Sequence, residues 1–169
     1  RMENNPGFRF LVEEEDDLIE LEQRKTVSLR ESVRRAEWEQ REQAALAISR
    51  IGVPARASIP SLIKALRDEN WQVRGAAIKA LANMEEAAEP AIPALMEALK
   101  DEEWQVRRPA AYALTILENK AKAAVPILIE ALNDEEWHVR KPAAVALGSI
   151  GADARDAIPA LEAKLNDPE

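Results

Sequence analysis

Four tryptophans, Trp38, Trp71, Trp104 and Trp137, are the only ones in the chain, and each follows the one before by 33 residues. Ile59-Pro60, Ile92-Pro93, Val125-Pro126 and Ile158-Pro159 keep the same register, as do Arg41, Arg74, Arg107 and Arg140. A fixed period over most of a chain means stacked supersecondary units that bury their apolar faces only against one another. That excludes a single closed core and leaves a quasi-one-dimensional array.

The stretch from Ile92 to Ala124 reads as one unit. Leu95, Met96 and Leu99 predict a first helix over about 91–100, with Pro90 and Pro93 in or before its first turn, where a missing N–H costs little. Asp101-Glu102-Glu103 then breaks the chain and places acidic residues at the next helix N-terminus. Val106, Ala110, Ala113, Leu114 and Leu117 predict a second helix over 104–117 with one apolar stripe. The fold class is therefore all-α, a solenoid of helix pairs. Its units start near 59, 92 and 125, with a half unit over 158–169 whose second helix would begin at Asp167-Pro168-Glu169. Upstream, Ser28 with Glu31 forms a capping box that predicts one long capping helix over 29–50. Residues 1–27 form a separate helical or extended front segment, and the array itself runs over 28–169.

The phrase Asp-Glu-x-Trp-x-Val-Arg-x-x-Ala-x-x-Ala-Leu starts at Asp68, Asp101 and Asp134. It resembles the short bacterial HEAT-like repeat of the phycobilisome-lyase type, over about 58–169. The resemblance implies a right-handed α-solenoid whose second helices line the concave wall. It also implies a structural ladder in which Asp68, Asp101 and Asp134 meet Arg74, Arg107 and Arg140 between neighbouring units. The first unit departs from the pattern, because Arg35 stands where the ladder Asp belongs.

Trp104 and Val106 are two helical steps of about 100° apart, so the tryptophan points nearly opposite the core stripe. Positions four, seven, eight and eleven residues later share its side. On that count the candidate partner-binding residues are Trp71, Ile78, Trp104, Arg108, Tyr112, Trp137, Lys141 and Val145. The same tryptophans also read as covers over the joints between units, half buried there. Pro109 and Pro142 fall inside second helices and are expected to bend them.

The order Asn5-Pro6-Gly7-Phe8-Arg9-Phe10-Leu11, then Lys25-Thr26-Val27-Ser28-Leu29, then Val33-Arg34 is similar to the non-catalytic C-terminal region of tail-specific (carboxy-terminal processing) proteases, over about 5–42. That resemblance implies a periplasmic or cell-envelope setting, whereas the repeats alone fit the cytoplasm. The serine–lysine dyad of that family belongs to a protease domain not contained in this sequence.

Chemistry is scarce. The formal net charge is −8 and the pI about 4.9, which disfavours nucleic acid and anionic membranes as partners. Cysteine is absent and His138 is the lone histidine, so no cofactor and no metal site are expected. No apolar run is long enough for membrane insertion. The expectation is a non-catalytic scaffold for a protein or peptide, possessing no catalytic residues of its own; the N-terminal resemblance implies that it is the partner- or substrate-handling tail of a tail-specific protease. A bilin-lyase subunit and an engineered repeat binder are the alternatives.

Overall fold

Between Gly7 and Gly52 the sequence contains neither glycine nor proline, so nothing there stops a helix once started. The computed structural model of the chain describes residues 6–165. In it, helix α1 (Pro6–Ile51) runs through Ser28 and Glu31. The Ser28–Glu31 capping box is thus not a helix start: Ser32 Oγ donates to the Ser28 carbonyl inside the helix, 2.9 Å. The long helix expected over 29–50 therefore begins upstream, at Pro6. The chain forms two compact units, one ending at Gln40 and one beginning at Arg41. In the first, Arg24 pairs with Glu20 one turn earlier, and Val27, Leu29 and Val33 are exposed.

The second unit holds the repeats. Short helices α2 (Ile59–Ala65), α4 (Ile92–Ala98) and α6 (Val125–Ala131) alternate with longer ones, α3 (Trp71–Ala82), α5 (Trp104–Ile116) and α7 (Trp137–Ile150). Helix α8 (Ile158–Leu165) starts the next pair. Among the described residues every element is helical. The half unit's call on Asp167-Pro168-Glu169 lies outside the described residues. Each short helix carries its proline within the first two positions, where no helical N–H is needed.

First helices are shorter than the sequence pattern predicts, and a 3-10 segment precedes each: Val53–Ser58, Glu85–Ala91, Glu118–Ala124 and Gly151–Ala157. A left-handed residue stands where each 3-10 segment leaves the long helix before it. Gly52, Glu85, Glu118 and Gly151, again 33 apart, have φ of 67°, 50°, 48° and 72°. Glycine takes this conformation without a Cβ clash, but glutamate does not. Glu118→Gly is therefore expected to raise stability by about 0.5–1 kcal/mol, read as a higher denaturant midpoint. A lower midpoint would mean the Glu118 side chain contributes more than its strained backbone costs.

The core is made of aliphatic and alanine side chains. Val106, Ala110, Leu114 and Leu117 are buried as their spacing predicts, and Leu95 of α4 and Leu99 at its end join the same core. Ala88, Ala121 and Ala154, and likewise Ala91, Ala124 and Ala157, bury the 3-10 segments. Helix α5 packs along α3, and α7 along α5. At the array's start, Ala45 is buried, with Leu46 and Ile48 packed against the core. Asn83 Nδ2 donates to Ser49 Oγ (2.9 Å) and to the Ser49 carbonyl (3.1 Å). The register equivalent of Asn83 is Ile116, so the polar residue appears where its partner is the end of α1.

Candidate binding groove

Arginine offers a planar fork that matches a carboxylate in two places, and the period sets one fork per repeat. Arg74 Nε and Nη2 both donate to Asp101 at 2.7 Å. Arg107 Nε and Nη2 donate to Asp134 at 2.7 and 2.9 Å. The third donor of each fork reaches back into its own repeat: Arg74 Nη1 meets the carbonyls of Asp68 and Glu69, and Arg107 Nη1 those of Asp101 and Glu102. The carboxylates in turn accept the backbone N–H two residues on, at Asn70, Glu103 and Glu136. Each arginine thus ties the turn of one repeat to the turn of the next. Arg140 makes the backward contacts, to the carbonyls of Asp134 and Glu135. The sequence reading omitted the first rung. Arg41 Nε and Nη2 donate to Asp68 at 2.7 and 3.0 Å, and its place 33 residues before Arg74 was the available signal.

Burial raises the carboxyls of Asp68 and Asp134. The arginine forks, from Arg41 and Arg107, and the backbone N–H groups outweigh it and hold both below the ordinary carboxylate value. A folded-state pKa below the unfolded one, about 3.9, gives stability that is fully present above that value and is lost as pH falls through the folded pKa. Helicity at 222 nm is expected to hold above about pH 4 and to fall below it. Asp134→Asn should flatten that fall while lowering stability at neutral pH. An unchanged acid limb in this variant would contradict the assignment.

Beside the ladder, the second helices frame an open groove of about 1000 Å³. Counted from each tryptophan, its wall takes the residues one, four, five and eight places on. In α5 these are Gln105, Arg108, Pro109 and Tyr112; in α7 they are His138, Lys141, Pro142 and Val145. Trp71, Trp104 and Trp137 line it too. Ile78 does not, and its place among the candidates is corrected. It is fully buried, as is its register equivalent Ala111, because the seventh position faces the neighbouring second helix. The groove face is therefore rotated away from the face centred on the tryptophans, and it gains Gln72, Gln105 and His138.

The tryptophans differ along the array. Trp71 and Trp104 are half-buried and pack against the core, whereas Trp137 is 56% exposed. Trp104 is covered by the following repeat: its ring stacks on His138 at 4.9 Å between centroids, and His138 stacks on Trp137 at 3.8 Å. His138 Nδ1 stands 3.7 Å from Glu136 Oε2, beyond hydrogen-bond length. Pro109 and Pro142 carry no N–H, so the carbonyls of Gln105 and His138 lack their helical donor. A Cβ built on Gly75 would lie 3.5 Å from that Gln105 carbonyl, an ordinary contact between α3 and α5. Among the described residues no group of three or more His, Cys, Asp or Glu is placed to hold a metal ion, and no helix is long and apolar enough to cross a membrane.

Paired helices stacked at a constant period, joined by arginine–aspartate rungs and grooved along their second helices, define an α-solenoid repeat protein. The family model for HEAT repeats matches residues 26–115 and 92–169, and the chain belongs to that family. No curated protein matches it. The complex of CpcE and CpcF of phycocyanin lyase from Nostoc sp. PCC7120 is similar at 27% identity, TM-score 0.62, over 75% of this chain and 80% of that one. An engineered protein solved by the Northeast Structural Genomics Consortium is similar at 26% identity, TM-score 0.57, over 72% of this chain and 60% of that one. A second engineered protein from the same source has TM-score 0.56 at 26% identity, and the matched part is 36% of its length. The chain thus spans less than two thirds of either engineered protein. None of these matches carries the resemblance of residues 5–42 to tail-specific proteases.

Proposed function

We propose that the chain is a non-catalytic interaction scaffold that holds a segment of a protein partner in the groove of α3, α5 and α7. The observation that carries this reading is the exposure of Tyr112, Trp137 and Val145 on one continuous wall. Exposed large side chains gathered in a concavity mark a contact site more often than scattered ones do. Affinity capture with the 169-residue chain, run beside Tyr112→Ala/Trp137→Ala, tests it. Both residues are exposed, so the fold persists, and a true groove partner is lost from the double variant. A partner retained equally by both would overturn the reading.

A second reading follows from the likeness to the phycocyanin lyase complex: the chain acts beside a second chain on a bilin. New bilin absorbance on mixing supports it, and an unchanged spectrum dismisses it. The finer proposal, a partner-handling tail of a tail-specific protease in the cell envelope, rests on residues 5–42 alone. A protease domain encoded ahead of Arg1 would decide in its favour.

A further inference from the structure

We infer that the segment this groove takes is acidic, with carboxylates interleaved among apolar side chains. The inference rests on the reading of the groove as a peptide site and adds the chemistry of the occupant. The groove wall carries Lys79, Arg108 and Lys141 against a single carboxylate, Glu42, in a chain with 31 acidic and 23 basic side chains. The charge balance of this one face is thus opposite to that of the molecule. All three cations are exposed, and none forms an ion pair among the described residues. The arginines of the ladder, by contrast, are each tied to a carboxylate or a turn carbonyl.

Register decides how the cations are presented. Arg108 and Lys141 occupy the same position of successive repeats, and Lys79 shares its position with Tyr112 and Val145. One cation therefore stands on each of α3, α5 and α7; Arg108 and Lys141 have Tyr112 and Val145 one turn on, and Lys79 has Gly75 one turn before it. A segment laid across the three helices meets a row of Arg108 and Lys141 beside a row of Lys79, Tyr112 and Val145, charge next to apolar surface. A basic segment would meet three like charges and one carboxylate.

The net charge of −8 opposes the approach of any anion at long range. Attraction prevails only within about a Debye length, roughly 10 Å at 0.1 M salt, so binding is salt-sensitive. The same field acts more strongly on a polyphosphate backbone than on a peptide with a few carboxylates, which favours the peptide over a single-stranded nucleic acid.

The test is selection of a random dodecapeptide display library on the intact chain. Recovered peptides are then titrated against the wild type, Tyr112→Ala/Trp137→Ala and Arg108→Glu/Lys141→Glu, with circular dichroism to verify folding. The expected result is peptides rich in Asp and Glu with apolar residues between. Their affinity should fall at least roughly tenfold in the charge-reversed variant and again between about 0.05 and 0.5 M salt. Peptides that depend on Tyr112 and Trp137 but are neutral or basic would overturn the acidic assignment and leave the groove reading standing. Recovery of no peptide, or of peptides indifferent to both variants, would overturn both. Oligothymidine binding tighter than any peptide and lost on charge reversal would also overturn the inference.

Discussion

Replacing Arg107 by alanine is expected to lower the unfolding free energy by about 3–5 kcal/mol. Arg107 is 8% exposed, and its fork joins the carboxylate of Asp134 to the carbonyls of Asp101 and Glu102. Without it, Asp134 keeps only the Glu136 N–H among these partners, and a buried carboxylate stripped of its cation is far costlier than the pair was favourable. In the wild type the Asp134 hydrogen bonds hold the Arg107 pKa above its ordinary value although burial lowers it, so the pair keeps its cation at every accessible pH. The effect should be graded along the ladder. Arg41 is 41% exposed at its side chain, and Arg41→Ala is expected to cost no more than about 1 kcal/mol.

The location of the loss matters as much as its size. Repeats touch only their neighbours, so stability is a sum of repeat and interface contributions. Arg107→Ala weakens the interface of α5 with α7 and leaves the one between α3 and α5. Urea unfolding followed at 222 nm should broaden or divide, with the repeat after Asp134 unfolding first. A single sharp transition shifted by less than about 1 kcal/mol would show that the rung contributes no more than a surface pair.

What the sequence made legible follows helical angle within one unit. Val106, Ala110 and Leu114 are core because about 100° per residue places them on one stripe whatever surrounds the helix. Trp71 and Ile78 stand only about 20° apart on the same count, yet one lines the groove and the other is fully buried. The difference is made by where the neighbouring second helix lies, a tertiary fact that no wheel of a single helix contains. Register showed that the ladder residues recur, Arg41 among them, and the resemblance to HEAT-like repeats implied that they pair. The 3-10 segments were not legible, because Ala88 and Ala91 fit the apolar side of a longer first helix. The left-handed backbone at Glu85, which separates the 3-10 segment from α3, falls on a residue type that does not announce it.

Trp104→Ala and Trp137→Ala should separate the two roles that the tryptophan period leaves superimposed. Trp104 packs against the core and is covered by His138, so its removal opens a void between repeats and is expected to cost about 2–3 kcal/mol. Trp137 keeps more than half of its surface in solvent. Its loss forfeits the stack on His138, about 0.5–1 kcal/mol, and little else. If the rings serve only as covers over the joints, peptide binding should track stability, with Trp104→Ala impaired and Trp137→Ala close to wild type. If they are also contacts, Trp137→Ala should weaken peptide binding roughly tenfold or more, on the scale of an aromatic anchor, while leaving the denaturation midpoint nearly unmoved. Denaturation and peptide titration on the same two variants therefore give opposite orders of effect, and an exposed ring whose loss touches neither quantity would remove Trp137 from the binding wall.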